Sequence, residues 1–482
     1  MMAKSWAHWL LLVVGCGGRV EDVAADAAPD ATVDAAIDTS TDVVGETVDT
    51  SVPDTTVADT AAVDAAADAT LDPFVWARVL GRGATLVRGP DVVLEPSGRT
   101  TVAMVSDELF FGVPDPCKAG GTGVARFDPT GAPLFVRCYP KELYEGGAVA
   151  VAPDGAVWLG TYDARAAVGD LAVTLRRLDA KGELAWEKTL RPKIPSNQTN
   201  VRGVVTTAAG DGLVAVELGD PVDFGAGPVG GPGKPHVVAK YDASGALLWT
   251  RTIANEDLRI GRGSALGATA GGGAVVAGYW SNGTIDLGAG STSLTTGSYL
   301  LVLDPAGKPV WNRTFPYGVN CAWVAANTKG EVVVAGVTGV PFDPGVGGEI
   351  PAAKDAVRAF VAVYDPIGKP LWATSWPGFA NVAAFAGSTV WVGGAQRSST
   401  GLDTPRLTHF AADGTTLGEA WPGYVTPTAR ATVHGLSVDP IGGLAIVGLF
   451  DSPLTFGTKT LTPLPPTDAS PFTSTFAARW VP

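Results

Sequence analysis

"LDPAGKPVWNRTF", residues 303–315, is the stretch whose reading decides the fold. Nearly the same wording returns as "LDAKGELAWEKTL" from 178, "YDASGALLWTRTI" from 241 and "YDPIGKPLWATSW" from 364. Aligned as D-x-x-G-x-x-x-W, five copies start at Asp128, Asp179, Asp242, Asp304 and Asp365. Gly131, Gly182, Gly245, Gly307 and Gly368 stand three residues on; Phe135, Trp186, Trp249, Trp311 and Trp372 stand seven on. A sixth copy, "FAADGTTLGEAW", keeps Gly414 but has Ala411 in place of the Asp and Gly418 in place of the aromatic residue. The copies lie 46 to 63 residues apart, a period that indicates stacked supersecondary units.

Turn chemistry explains the wording. Alternating apolar residues before the Asp read as a strand. Asp accepts backbone N–H groups, Pro presets φ, and Gly takes the position with φ > 0. The next strand then carries the aromatic residue inward. Each copy is therefore a β-hairpin, and its Trp is expected to fill the space against a neighbouring sheet. Upstream of each hairpin lies another pair of strands, as in "GAVVAGYW" at 273–280, "GEVVVAGV" at 330–337 and "GGLAIVGLF" at 442–450. Four strands per unit make a propeller blade.

Six complete hairpins occupy 124–139, 175–190, 238–253, 300–315, 361–376 and 407–421. The last unit, from about 431, ends on "FAARWVP" with a third strand and no fourth. The missing strand sits at the other end. "PFVWARVLG" at 73–81 matches "LLWTRTI" in style, with Trp76 at the aromatic position. A first strand that completes the last blade removes the open sheet edges. The expectation is an all-β, seven-bladed propeller of four-stranded antiparallel blades over 73–482, closed by the strand at about 73–81.

At the hairpins the chain resembles the bacterial β-propeller repeat proteins, distantly including the quinoprotein-like repeats. It is most similar to secreted or lipid-anchored propellers with an Ala/Asp/Thr-rich stalk. The resemblance implies the fold and leaves the activity open, because propellers host unrelated functions.

The N-terminus reads as an export signal. Lys4 precedes an apolar run from Trp9 to Val14, and "VVGC" ends at Cys16. The run is too short to span a bilayer, and short apolar segments before small residues mark signal peptides. The stretch resembles the bacterial lipoprotein signal, which implies cleavage before Cys16 and its lipidation. The alternative is an ordinary signal peptide with an incidental Cys. Gly17 in such lipoproteins implies the outer membrane. Residues 1–15 are then the signal peptide and 16–72 the lipidated Cys plus a linker.

That linker carries fourteen acids between 20 and 72 and no Lys or Arg. The remaining 34 acids balance the 34 Lys and Arg of the chain. The linker has no aromatic residue, its i, i+4 acids repel, and Pro29 and Pro53 interrupt it. It is expected to be a disordered, self-repelling stalk. Nothing in the chain makes a basic footprint for nucleic acid. In an oxidising compartment Cys117 and Cys138, 21 residues apart, are the candidate disulfide, with Cys321 left over and buried.

Chemistry-bearing residues are scarce. The histidines are His8, His236, His409 and His434, placed in different units and without metal spacing. No G-x-S-x-G elbow, Walker loop or HExxH occurs. Turn chemistry accounts for the repeated Asp, and inter-blade packing for the repeated Trp. No catalytic residue, metal or cofactor is assigned. Loops between second and third strands vary, as in "DPCKAGG" at 115–121, "DPGVGGEIPAAK" at 343–354 and "TPLPPTDASPFT" at 462–473, and variable loops on a repeated scaffold suit binding. The leading expectation is a monomeric, outer-membrane-anchored module that binds a protein or polysaccharide, or serves as an assembly scaffold, without catalysis. The alternative is an enzyme sited in the channel, a polysaccharide lyase or hydrolase or a quinone-dependent dehydrogenase.

Overall fold

The structure is a computed structural model. It describes residues 74–481 apart from 83–89, 107, 110–120, 141, 144–147, 164–171, 193–198, 231–234, 254–264, 281–282, 289–295, 353–356, 398–402, 421–430 and 466–473. Cys16, the 1–15 signal, the 16–72 linker and Cys117 lie outside the described residues.

The described residues form antiparallel four-stranded sheets. The first sheet contains Asp91–Leu94, Thr100–Ser106, Gly121–Phe127 and Pro133–Pro140, paired in that order. The second contains Val149–Val151, Val157–Asp163, Val173–Leu178 and Leu184–Leu190. The third contains Asn200–Thr206, Gly212–Glu217, His236–Tyr241 and Leu247–Ile253. The fourth contains Ala265–Ala268, Ala274–Trp280, Gly297–Leu303 and Pro309–Pro316. In the fifth, Val319–Ala326, Val332–Thr338 and Arg358–Tyr364 are followed by 370–377 of the long strand Pro370–Ala386. The other half of that strand, 378–386, opens the sixth sheet, with Thr389–Arg397, Asp403–Phe410 and Thr416–Ala420.

The seventh sheet draws on both ends of the chain. Ala431–Val438, Leu444–Phe450 and Ser474–Trp480 are joined by Phe74–Arg82, which runs antiparallel to Ser474–Trp480. The first strand of each sheet touches that of the next, and Ala431–Val438 touches Asp91–Leu94. Successive sheets thus stack face to face around their first strands, the organisation of a β-propeller.

Burial follows from that stacking. Second and third strands are covered on both faces, so they read as continuous apolar runs. "GLVAVE", "GSYLLVL" and "LAIVGLF" are buried at every residue. Fourth strands are half-exposed edges. Three of them, Pro133–Pro140, Pro309–Pro316 and 370–377, begin and end in proline, which protects an edge from further pairing. The core lies between sheets: Leu213, Val276, Trp280 and Leu301 pack between the third and fourth, and Val382, Leu407, Val433 and Phe476 between the sixth and seventh.

The turn joining first and second strands has the same hydrogen-bond scheme as the outer hairpin. Gly98, Gly155, Gly210, Gly272, Gly330 and Gly442 each donate to the carbonyl three residues back. Only Asp439 and Asn327 supply a side chain there that binds two backbone N–H groups, so the inner turns lack a common sequence signature.

Candidate functional site

The repeated residues converge on the junctions between sheets. Within each outer turn one carboxylate oxygen accepts two backbone N–H groups. Asp304 Oδ1 accepts from Ala306 at 2.9 Å and Lys308 at 2.8 Å. Asp128, Asp179, Asp242 and Asp365 repeat the pattern. Hydrogen bonds from the Thr130 and Ser244 hydroxyls hold Asp128 and Asp242 below the ordinary aspartate pKa, and the Glu183 N–H does the same for Asp179. The six motif glycines have φ between 78° and 86°. In the sixth copy the turn forms without Asp at 411, and Asp413 accepts from the Thr415 N–H instead.

Each motif aromatic residue lies on the motif glycine of the following sheet. A Cβ at Gly307 would stand 2.8 Å from Trp249, and one at Gly368 2.8 Å from Trp311. The same overlap pairs Trp76 with Gly131, Phe135 with Gly182, Trp186 with Gly245, and Trp372 with Gly414. The indole N–H groups of Trp186, Trp249 and Trp311 donate to the carbonyls of Ala243, Pro305 and Pro366 at 3.0, 2.9 and 3.0 Å. These three indoles keep an exposed edge and are only half-buried, whereas Trp76, Phe135 and Trp372 are buried.

A cation two residues past the aromatic one completes the grip, a feature the D-x-x-G-x-x-x-W reading missed. Arg137 and Lys188 donate to the Gly182 and Gly245 carbonyls at 2.7 and 2.8 Å, and Arg313 to that of Gly368 at 3.4 Å. The signal was present as F-V-R, W-E-K, W-T-R, W-N-R and W-A-R in "PFVWARVLG".

A second set of polar side chains lies where second strands hand over to third strands. In the second sheet Arg176 bonds Glu142 at 2.8 Å, Glu187 at 2.7 Å and Thr161 at 2.9 Å, and sits over the Tyr139 ring. In the third sheet buried Arg202 pairs with buried Glu217 at 2.7 Å. His236 opens the next strand, and its Nδ1 meets the Tyr299 hydroxyl of the fourth sheet at 2.7 Å. Burial, reinforced by Arg202, pushes His236 down to about 3, so the imidazole is neutral. Burial raises the Tyr299 hydroxyl well above its ordinary range.

First strands carry a register break in four sheets. The extra residue is Arg202, Ala322, Asn381 or His434, each five residues before its inner turn. Such a bulge leaves one residue outside the ladder. Asn381 donates to the Val433 carbonyl of the next sheet at 3.0 Å. His434 is part-exposed yet enclosed by protein, and burial pushes it down to about 4. The aligned bulges could not be read from sequence, because the partner strand creates them.

His409 stacks on Trp391 at 4.2 Å and 7° and meets Thr389 at 2.8 Å. The four bulge residues sit on four different sheets, His236 shares the third with Arg202 and His409 the sixth with Asn381, and Arg202, His236, Asn381 and His409 are each engaged by neighbours. Among the described residues no three His, Cys, Asp or Glu side chains could hold one metal ion. Cys321 is free and buried, with its thiol pKa pushed up by that burial, and Cys138 is disulfide-bonded.

No family model matches the chain, and no curated protein matches it. Among solved structures it is similar to the polysaccharide lyase Uly1, at 10% identity and TM-score 0.46 over 82% of this chain and 90% of that one. It is also similar to the β-propeller domain of the Trilobed protease from Pyrococcus furiosus, at 8% identity and TM-score 0.42 over 80% and 96%. BamB from Moraxella catarrhalis follows at 14% identity and TM-score 0.37 over 84% and 98%.

Proposed function

We propose that residues 73–482 form a seven-bladed β-propeller, closed where Phe74–Arg82 completes the last blade, that works as a non-enzymatic binding or scaffold module. One observation carries the reading. Among the described residues, many charged and aromatic side chains are engaged inside the scaffold, on turn carbonyls or on one another. Arg126 reaches the Gly155 and Ala180 carbonyls, Lys240 that of Gly272, and Arg479 that of Pro129. Together with the Trp–Gly contacts these bonds join neighbouring sheets. What varies between units is the connecting loops, and variable loops on a rigid scaffold suit recognition.

The "VVGC" stretch supports export, lipidation of Cys16 and residence at the outer membrane. The acidic 16–72 linker would then act as a stalk between lipid and propeller. Cys138 is proposed to bridge Cys117. The partner would be a protein or a polysaccharide met through the loops, with the propeller itself monomeric.

The test uses the full-length chain solubilised from membranes in detergent, beside a Cys16→Ala variant. The reading expects membrane-borne wild type, soluble variant, and a defined protein or glycan retained by the wild type. Turnover of a polysaccharide, abolished by His434→Gln, would overturn the non-enzymatic reading. Wild type that stays soluble would overturn the anchor.

A further inference from the structure

We infer that the ring opens first at the outer half of the junction between the sixth and seventh sheets. The inference rests on the ring closure proposed above. Six junctions carry an aromatic ring laid on the motif glycine of the next sheet. Among the described residues this junction carries none. Gly418 stands at the aromatic position of Thr416–Ala420, and a Cβ there would meet nothing within 4 Å. Ala420 stands at the cation position. On the far side the seventh sheet has no third-to-fourth-strand turn to be gripped, because its two outer strands come from opposite ends of the chain.

The consequence shows in burial. Residues 415–419 are all exposed, whereas the outer strands of the first five sheets and the seventh each hold at least one buried residue. The inner half is packed normally. Asn381 bonds the Val433 carbonyl at 3.0 Å, and Val382, Leu407, Val433 and Leu436 share one cluster. Trp391, stacked on His409, meets the edge of Trp480 at 6.0 Å. The junction is therefore closed at its core and unlatched at its rim. Opening would swing the rim of the sixth sheet away from Trp480 and admit solvent to Leu407.

Thiol labelling under native conditions tests this. Leu407→Cys reports the sixth–seventh junction and Leu301→Cys the third–fourth; both truncate a buried leucine of a third strand. The expected result is labelling about tenfold faster at position 407, as local opening sets the rate. Equal rates, or faster labelling at 301, would overturn the inference. Adding Trp249→Ala should bring position 301 to the rate seen at 407; an unchanged rate would show that the latch does not set the opening. Hydrogen exchange in Ser474–Trp480 separates the premise from the inference. Slow exchange there keeps the closed ring, and fast exchange removes the ring and the inference with it.

Discussion

The indole N–H of Trp249 donates to the carbonyl of Pro305 at 2.9 Å, while its ring covers Gly307 two residues further on. One side chain thus reads both the shape and the polarity of the neighbouring turn. The glycine is required twice over, for φ of 78° and for the flat space the indole occupies.

Gly307→Ala therefore loses more than backbone freedom. An alanine at positive φ costs roughly 1–2 kcal/mol, and overpacking against Trp249 adds roughly 1–3 kcal/mol. Gly347 has φ of 79° and nothing within 4 Å of a Cβ, so Gly347→Ala should show the backbone cost alone. Urea midpoints of the two variants check the difference. Equal losses would show that the ring contact contributes nothing.

Trp249→Phe keeps the ring contact and removes the N–H. The expected loss is about 1 kcal/mol for one hydrogen bond. Trp249→Ala should cost about 3 kcal/mol or more, from the packing lost as well. Denaturant unfolding of the pair measures each part.

These latches show what was legible in the sequence. The D-x-x-G corner and its Trp are local chemistry, so Asp304, Gly307 and Trp311 could be read within one stretch. The pairing of Phe74–Arg82 with Ser474–Trp480 was legible because the last unit lacks a strand that the first stretch supplies. The half-exposed state of Trp186, Trp249 and Trp311 was not, since burial depends on the neighbouring sheet and not on the stretch itself. Nor were the Arg202–Glu217 pair, the His236–Tyr299 contact or the bulges at Asn381 and His434. Each of these is set by which strand lies alongside, and the inner turns carry no shared Asp to reveal the register.

Buried histidine gives the fold an acid dependence. The folded pKa of His236 is about 3 and that of His434 about 4, both below the unfolded value near 6.5. The unfolded chain then binds more protons between those limits, so stability is fully present above about 6.5 and falls as pH drops towards the folded values. Each histidine contributes a slope of at most about 1.4 kcal/mol per pH unit. His236→Gln should flatten the loss between about pH 6.5 and 5, above the carboxylate range. A chemical-denaturation series checks this, and an unchanged slope in the variant would show that His236 titrates normally.

Cysteine reactivity follows from placement. In a soluble chain carrying Cys16→Ala, an alkylating reagent should leave Cys321 untouched in the native state and modify it in denaturant. Cys117 and Cys138 should react only after reduction. Mass spectrometry counts the adducts, and a native adduct at Cys117 would rule out the bridge to Cys138.

Deleting residues 1–82 tests the central claim, that the first described strand closes the ring on the last. It removes Trp76 from Gly131 and one of the two strand partners from Ser474–Trp480. The control begins at residue 73 and keeps the strand. The account predicts one cooperative thermal transition for the control, and a lower midpoint with fast hydrogen exchange in Ser474–Trp480 for the deletion. Equal midpoints and equal protection of Ser474–Trp480 in the two chains would contradict it.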